Sequence, residues 1–388
     1  MILAYDAYHR TALWYIRHCM KLAYIGNTRF PSERAHGAQI AHMCEAFVEN
    51  GATVDLIVSN RVGKNQQSFE EYYGFSPSFE IVRYYTPNII HWGFVFFLST
   101  SFIFCLGAWH RVVFGTYDVI YSRDQWILLF FSLFIPVRKL AWESHEGNYS
   151  IISRAILARG IKVVAISEGI RDYYVERGVP SERILVAHDG IDDSFFGEVE
   201  SKAQARERLG LPQDAMIAMY IGGFDRWKGV ETFFKASECA DDGILFVAIG
   251  GTAEEVAHYQ VQYPKVRFLG ARPYRELKDN QQAADVLVIP NTAENDLSSK
   301  FTSPLKLFAH MASTVPIVAS NVPSIRAVLG EDNALFFKSG DDASLYAQLK
   351  NILVNPREAS VRAEKTRALS QEYTWGTRAR NIIRFIAK

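Results

Sequence analysis

The stretch Thr302-Ser303-Pro304-Leu305-Lys306-Leu307-Phe308-Ala309-His310-Met311-Ala312 brings together residue types that hold an anion. It lies between two apolar runs, 285–290 and 316–320, each read as a buried strand. Ser303 is placed to cap a helix whose first position is Pro304, where a missing N–H costs nothing. A strand feeding a capped helix start exposes free backbone N–H groups and the positive end of the helix dipole. Lys306 adds a full charge within that first turn. The chemistry this predicts is the seating of a phosphate-bearing ligand.

Such a seat needs a frame, and the bulk properties allow one. At 388 residues the chain is long for a single core and suits two domains of ordinary size. Its apolar share of 49% is that of a folded globular chain. Lys+Arg and Asp+Glu both total 42, so no net field recruits nucleic acid and no such partner is expected. Cys19, Cys44, Cys105 and Cys239 lie far apart, with no CxxC pair and no histidine at metal spacing. Neither disulfide staples nor a zinc site is therefore expected, and a reducing compartment is. Residues 1–19 lack the continuous apolar core of a secretory signal. They read either as a surface helix or as a segment ahead of a start at Met20.

Residues 21–25 form a short apolar run, followed by a polar loop, 26–34, and a helix with Ala38, Ala41, Cys44 or Glu45, and Val48 at helical spacing. The run 54–58 completes a strand–loop–helix–strand unit, which implies parallel strands with right-handed crossovers. Gly37, where the loop enters the helix, suits either close approach of a ligand or a plain tight turn. Further strands are read at 119–121, 140–142, 163–166 and 184–187, with Ser167 capping the helix after 163–166. A polar, helix-prone stretch, 198–208, precedes a second alternation with strands at 216–221, 244–249, 266–269, 286–289 and 316–319. The fold class is α/β: two Rossmann-like halves joined near residue 195, with the ligand at the carboxyl ends of strands in the cleft between them.

Two apolar segments stand apart from this pattern. Residues 89–109 contain no Lys, Arg, Asp or Glu and are rich in phenylalanine, and residues 126–137 form a second run. Flanked by Arg111, Arg138 and Lys139, they suit a surface that dips into one leaflet of a membrane. Two core helices of a large domain are the alternative.

Several motifs follow one another along the chain. They are Pro31-Ser32-Glu33-Arg34-Ala35-His36-Gly37-Ala38-Gln39, Glu143-Ser144-His145-Glu146, the segments 163–169 and 184–192, Gly222-Gly223-Phe224-Asp225-Arg226-Trp227-Lys228-Gly229, and the opening stretch. In this order they resemble nucleotide-sugar-dependent glycosyltransferases of the GT-B fold, family GT4, over nearly the whole chain from Met20. The resemblance implies an acceptor-side domain at 20–195 with membrane-facing segments and a donor-binding domain at 196–365. A C-terminal helix within 366–388 would pack back on the first domain. It also implies retaining transfer from a nucleotide-sugar to a growing glycan or lipid-linked acceptor, without a metal or other cofactor. The setting would be cell-surface polysaccharide assembly, on the inner, cytoplasmic face of a membrane.

Residue by residue, the resemblance places His145 against the transferred sugar or its developing positive charge. Lys228 and Lys306 would clamp the diphosphate, whose negative charge grows as the glycosidic bond breaks. Arg226 would stand in for the arginine that the family carries at Gly223, and the loop around Arg272 would meet the base. Ser303, Pro304 and Leu305 would open the donor helix, and His36 and Gly37 would face the acceptor. The family commonly carries two glutamates around this helix; their positions here are Phe301 and Ala309, and the second is the ribose ligand. Its loss admits a second reading, a catalytically weak partner subunit, unless His310 or Glu294 compensates. A third reading, a sugar-nucleotide epimerase, is disfavoured by the apolar surface of the first half.

Overall fold

The computed structural model describes residues 19–32, 35–61, 68–87, 93–239 and 243–388. Most of the expected leading segment, Glu33 and Arg34 of the first loop, and residues 89–92 at the start of the apolar run lie outside the described residues.

The strands are apolar on both faces, as in Met216-Ile217-Ala218-Met219-Tyr220-Ile221, and such strands are stable only inside parallel sheets covered by helices. Two sheets result, with all pairings parallel. The first contains β1 (Lys21–Arg29), β2 (Thr53–Ser59), β3 (Glu80–Tyr84), β4 (Val119–Ser122), β5 (Leu140–Ser144), β6 (Lys162–Ala165) and β7 (Ile184–Val186). Their spatial order is β3-β2-β1-β4-β5-β6-β7. The second contains β8 (Met216–Ile221), β9 (Ile244–Ile249), β10 (Val266–Phe268), β11 (Val286–Ile289), β12 (Ile317–Ser320) and β13 (Leu335–Phe337), in the order β10-β9-β8-β11-β12-β13. The order reverses between β1 and β4 and again between β8 and β11. Crevices at the carboxyl ends of these strand pairs are where such sheets take ligands. The architecture is GT-B, as expected. The edge strands β3 and β13 are the elements the sequence pattern left out: Glu-Ile-Val-Arg-Tyr of β3 is short and half polar, with one neighbour to cover it, and Leu-Phe-Phe of β13 is only three residues long.

The chain crosses back at its end. The helix Trp375–Ile386 buries Trp375, Ala379, Ile382, Ile383 and Ile386 in the same apolar cluster as Leu22, Phe47 and Tyr121 of the first domain. Thr374 caps its start through the N–H of Thr377. Lys162 of β6 donates to the carbonyls of Phe385 and Ile386 at 3.1 and 3.2 Å, placing a cation at the negative end of the helix dipole.

The domains also meet at the cleft. A wide helical turn, Leu297–Phe301, leads out of the loop after β11 and lies on the first domain. Ser167 Oγ donates to the Lys300 carbonyl at 3.1 Å. A Cβ on Gly169 would stand 2.3 Å from that carbonyl oxygen, and one on Gly147 2.6 Å from the Phe301 ring. These two glycines let the domains approach. Phe301 also packs edge-on against Tyr173, at 5.5 Å between ring centres.

The long apolar segment forms the helix Phe94–Phe114. Phe104, Cys105, Ala108 and Val112 face the core, while Val95, Phe102, Leu106 and Phe114 are exposed beside exposed Leu133 and Phe134. Among the described residues it is one helix long and apolar enough to cross a membrane, by length and composition alone.

Candidate active site

Two lysines converge on the glycine turn that follows β8. Lys306 Nζ is shut off from solvent and has no hydrogen-bond partner among the described residues; it sits 4.6 Å above the ring of Tyr220. Burial, and next to it the charge of Lys228, pull its pKa down to about 7. Lys228 Nζ pairs with Asp225 at 2.7 Å, and that hydrogen bond is the main cause holding the Asp225 carboxyl below its ordinary range. A Cβ on Gly223 would lie 2.8 Å from Lys228 Nζ, and one on Gly222 3.7 Å from Lys306 Cδ. The turn is therefore bare backbone facing two ammonium groups. An anion placed there would give Lys306 the partner it lacks.

The helix carrying Lys306 differs from expectation at its start. It spans Leu305–Met311, with Pro304 before it rather than in it and no side-chain cap. Ser303 instead points across the cleft, its Oγ accepting the backbone N–H of Asp189 at 2.8 Å. The extended Pro304 separates Ser303 from the helix end, so the hydroxyl serves a domain contact. Leu305 likewise packs against the first domain's core. Replacing Ser303 by Ala would leave the Asp189 N–H buried and unpaired, a loss of about 1–3 kcal/mol expected in urea unfolding.

The other expected positions lie as follows. Ala309 is buried in the second domain's core, with its carbonyl bonded to Gln281 at 3.1 Å. Its neighbour His310 is buried too, with Nδ1 3.1 Å from the same glutamine, and burial lowers its pKa to about 3. His310 therefore does not replace a ribose carboxylate, and Glu294 lies exposed in the loop after β11. Arg226 does not point at the glycine turn either: its side chain is 88% exposed and 3.6 Å from Glu231. Arg272 is exposed on the loop after β10. Gly37 has its space filled from within the chain, since a Cβ there would stand 2.7 Å from both Ser32 O and Tyr73 Oη. It seats the first loop rather than opening a path to it. His36 Nε2 lies 3.1 Å from Thr28 Oγ1 near the end of β1.

His145 follows β5 and does not act alone. Its Nε2 is hydrogen-bonded to Glu143, a carboxylate with no solvent exposure. Glu143 also accepts from Gln39 at 2.8 Å, from Tyr121, and from Arg378 of the C-terminal helix at 3.4 Å. Gln39 in turn donates to Asp189 at 2.9 Å and accepts from Arg123. A chain of contacts thus runs from His145 through Glu143, Gln39 and Asp189 to Ser303, next to the Lys306 helix. Glu143, Arg123 and Arg378 were missed as site residues by sequence reasoning. A signal existed: Glu143 follows three apolar residues in β5, and a charge buried there demands partners.

Residues 215–355 match the profile of the family described as Glycosyl transferases group 1. The match lies within the second domain. A D-inositol 3-phosphate glycosyltransferase of Streptomyces avermitilis is 25% identical over 230 residues, covering 55% of this chain and 47% of that protein. TuaC of Bacillus subtilis, provisionally named a teichuronic acid biosynthesis glycosyltransferase, is 26% identical over 232 residues, covering 59% of this chain and 52% of TuaC. The chain thus spans about half the length of the curated relatives it matches. The structure of Anabaena HepE in complex with UDP-glucose superposes with a TM-score of 0.70 at 16% identity, covering 95% of this chain and 99% of that one. That likeness concerns the GT-B fold.

Proposed function

We propose that this chain is a retaining glycosyltransferase that moves a sugar from a nucleoside diphosphate donor to a growing glycan or a lipid-linked acceptor. The observation that carries the proposal is the solvent-shielded, unpartnered ammonium of Lys306, held with Lys228 at a bare glycine turn on the strand-order reversal of the second sheet. Buried cations persist when a ligand supplies the counter-charge, and the diphosphate of a departing nucleotide gains charge during the reaction. The donor diphosphate would sit at the glycine turn against Lys228 and Lys306, with its base towards the Arg272 loop. His145 would meet the sugar from the first domain, beside the loop of His36 and Gly37. The exposed apolar face of Phe94–Phe114 suits peripheral contact with a membrane carrying the acceptor.

The test is incubation with a panel of nucleotide sugars, with and without a chelator, followed by mass spectrometry of the released nucleotide. Release of one nucleoside diphosphate, undiminished by chelator, is the expected result. Replacing His145 by Ala is expected to lower that turnover by roughly 100-fold or more, as loss of a charge-stabilising group does. Its unfolding free energy should fall by only about 1.5–3 kcal/mol, the worth of one hydrogen bond to a charged group. Phe301 and Ala309, packed on Gly147 and in the core, favour one second reading: a subunit that binds nucleotide without turning it over. Nucleotide binding with no release from any donor would select it.

A further inference from the structure

The contacts around Glu143 determine more than the stability of the cleft. Its Oε1 accepts from Gln39 Nε2 and meets His145 Nε2, and its Oε2 accepts from Tyr121 and Arg378. The charged groups around His145 are Glu143, Asp189, Arg123 and Arg378, two of each sign. Arg378, His145 and Arg123 together overcome the effect of burial and hold the Glu143 carboxyl well below its ordinary value. An ionised carboxylate only accepts hydrogen bonds, so the proton between it and the imidazole lies on Nε2. Burial and the nearby Arg123 charge lower the His145 pKa, so the ring carries no second proton at neutral pH. Nδ1 therefore keeps its lone pair. It has no protein partner among the described residues and retains contact with solvent, on a side chain 22% exposed.

We propose that Glu143 is the positioning residue of this site: it fixes His145 as the Nε2–H tautomer and leaves Nδ1 to accept a hydrogen bond from a hydroxyl of the bound sugar. The sugar rests on the glycosyl-transfer reading above; the tautomer does not. A carboxylate that holds an imidazole in its working tautomer controls turnover through the histidine, without touching the reactants itself.

The test reads the tautomer directly, by nitrogen NMR of the full chain with isotope-labelled histidine, assigning His145 by its loss in H145Q. Wild type is expected to show neutral His145 protonated at Nε2 alone. In Glu143→Gln the side-chain amide can donate to Nε2, so part of the population shifts to the Nδ1–H form. The kcat of that variant is expected to fall roughly 10- to 100-fold with little change in donor KM. H145N, whose amide oxygen can stand where Nδ1 stood, should retain more turnover than H145Q, which keeps only the Nε2-like donor. An Nδ1–H or doubly protonated His145 in wild type overturns the proposal, as does a tautomer unaffected by Glu143→Gln. Should that variant not fold, the wild-type spectrum decides alone. Absence of turnover with every donor, alongside an Nε2–H spectrum, overturns the transfer reading and leaves the fixing of the tautomer standing.

Discussion

Replacing Lys306 by Met is expected to weaken nucleoside diphosphate binding while making the protein more resistant to urea. Removing one member of a desolvated charge pair costs about 2–5 kcal/mol, or roughly 30-fold to a few thousandfold in affinity. The gain in stability has the opposite origin. In the free protein the ammonium has no hydrogen-bond partner among the described residues and burial brings its pKa down from 10.5 to about 7, so the native state holds this proton more weakly than the unfolded chain. The resulting cost is fully present below pH 7 and is relieved as the pH rises towards 10.5. The advantage of the Met variant should accordingly be larger at pH 6 than at pH 9. Binding obeys the same linkage with the opposite sign. A diphosphate favours the charged lysine, so above pH 7 the complex takes up a proton and affinity falls, by at most about tenfold per pH unit. Calorimetry in two buffers of different ionisation enthalpy measures that uptake. A lysine already paired in the free protein would give no uptake and no gain in stability.

Replacing Arg378 by Ala is expected to cost about 3–5 kcal/mol in unfolding free energy, the price of leaving buried charge without its partner. Its guanidinium lies between Glu143, at 3.4 Å, and Asp189, at 4.0 Å, and also donates to the Ala187 carbonyl at 3.2 Å. Glu143 has a depressed pKa in the folded state, so its ionisation contributes stability above the unfolded value of 4.5 and loses it as the pH falls through the lower folded value. Without Arg378 that folded value rises, and acid unfolding should begin at a higher pH. Adding Glu143→Gln to the variant removes one of the stranded charges and should return part of the loss. Because Arg378 lies on the helix that crosses back between the domains, the same variant should loosen that helix. Faster amide exchange across residues 375–386 checks this, and an unchanged acid midpoint would count against the pairing.

How far these features were legible beforehand depended on how local their causes are. Alternating apolar runs and polar loops are properties of neighbouring residues, so both α/β halves and most strands could be read directly. The strand β3 could not, because an edge strand covered from one side carries half the apolar signal. Lys306 and Lys228 were legible as cations at turn motifs. That Lys306 lacks a partner was not, since burial depends on Tyr220 folding beneath it. Arg226 shows the converse: its place in a motif implied a ligand role, yet the turn directs it into solvent.

The sequence by itself determined the architecture and the pair of lysines, because periodicity, glycine turns and short motifs act within a few residues of chain. Only the tertiary structure decided what Ser303 and Glu143 do. Ser303 spends its hydroxyl on Asp189, 114 positions away, and Glu143 meets Arg378 across 235 positions. Hydrogen bonds are satisfied by whatever lies within about 3 Å, and no local pattern records which distant group will be there once two domains and a returning helix have closed.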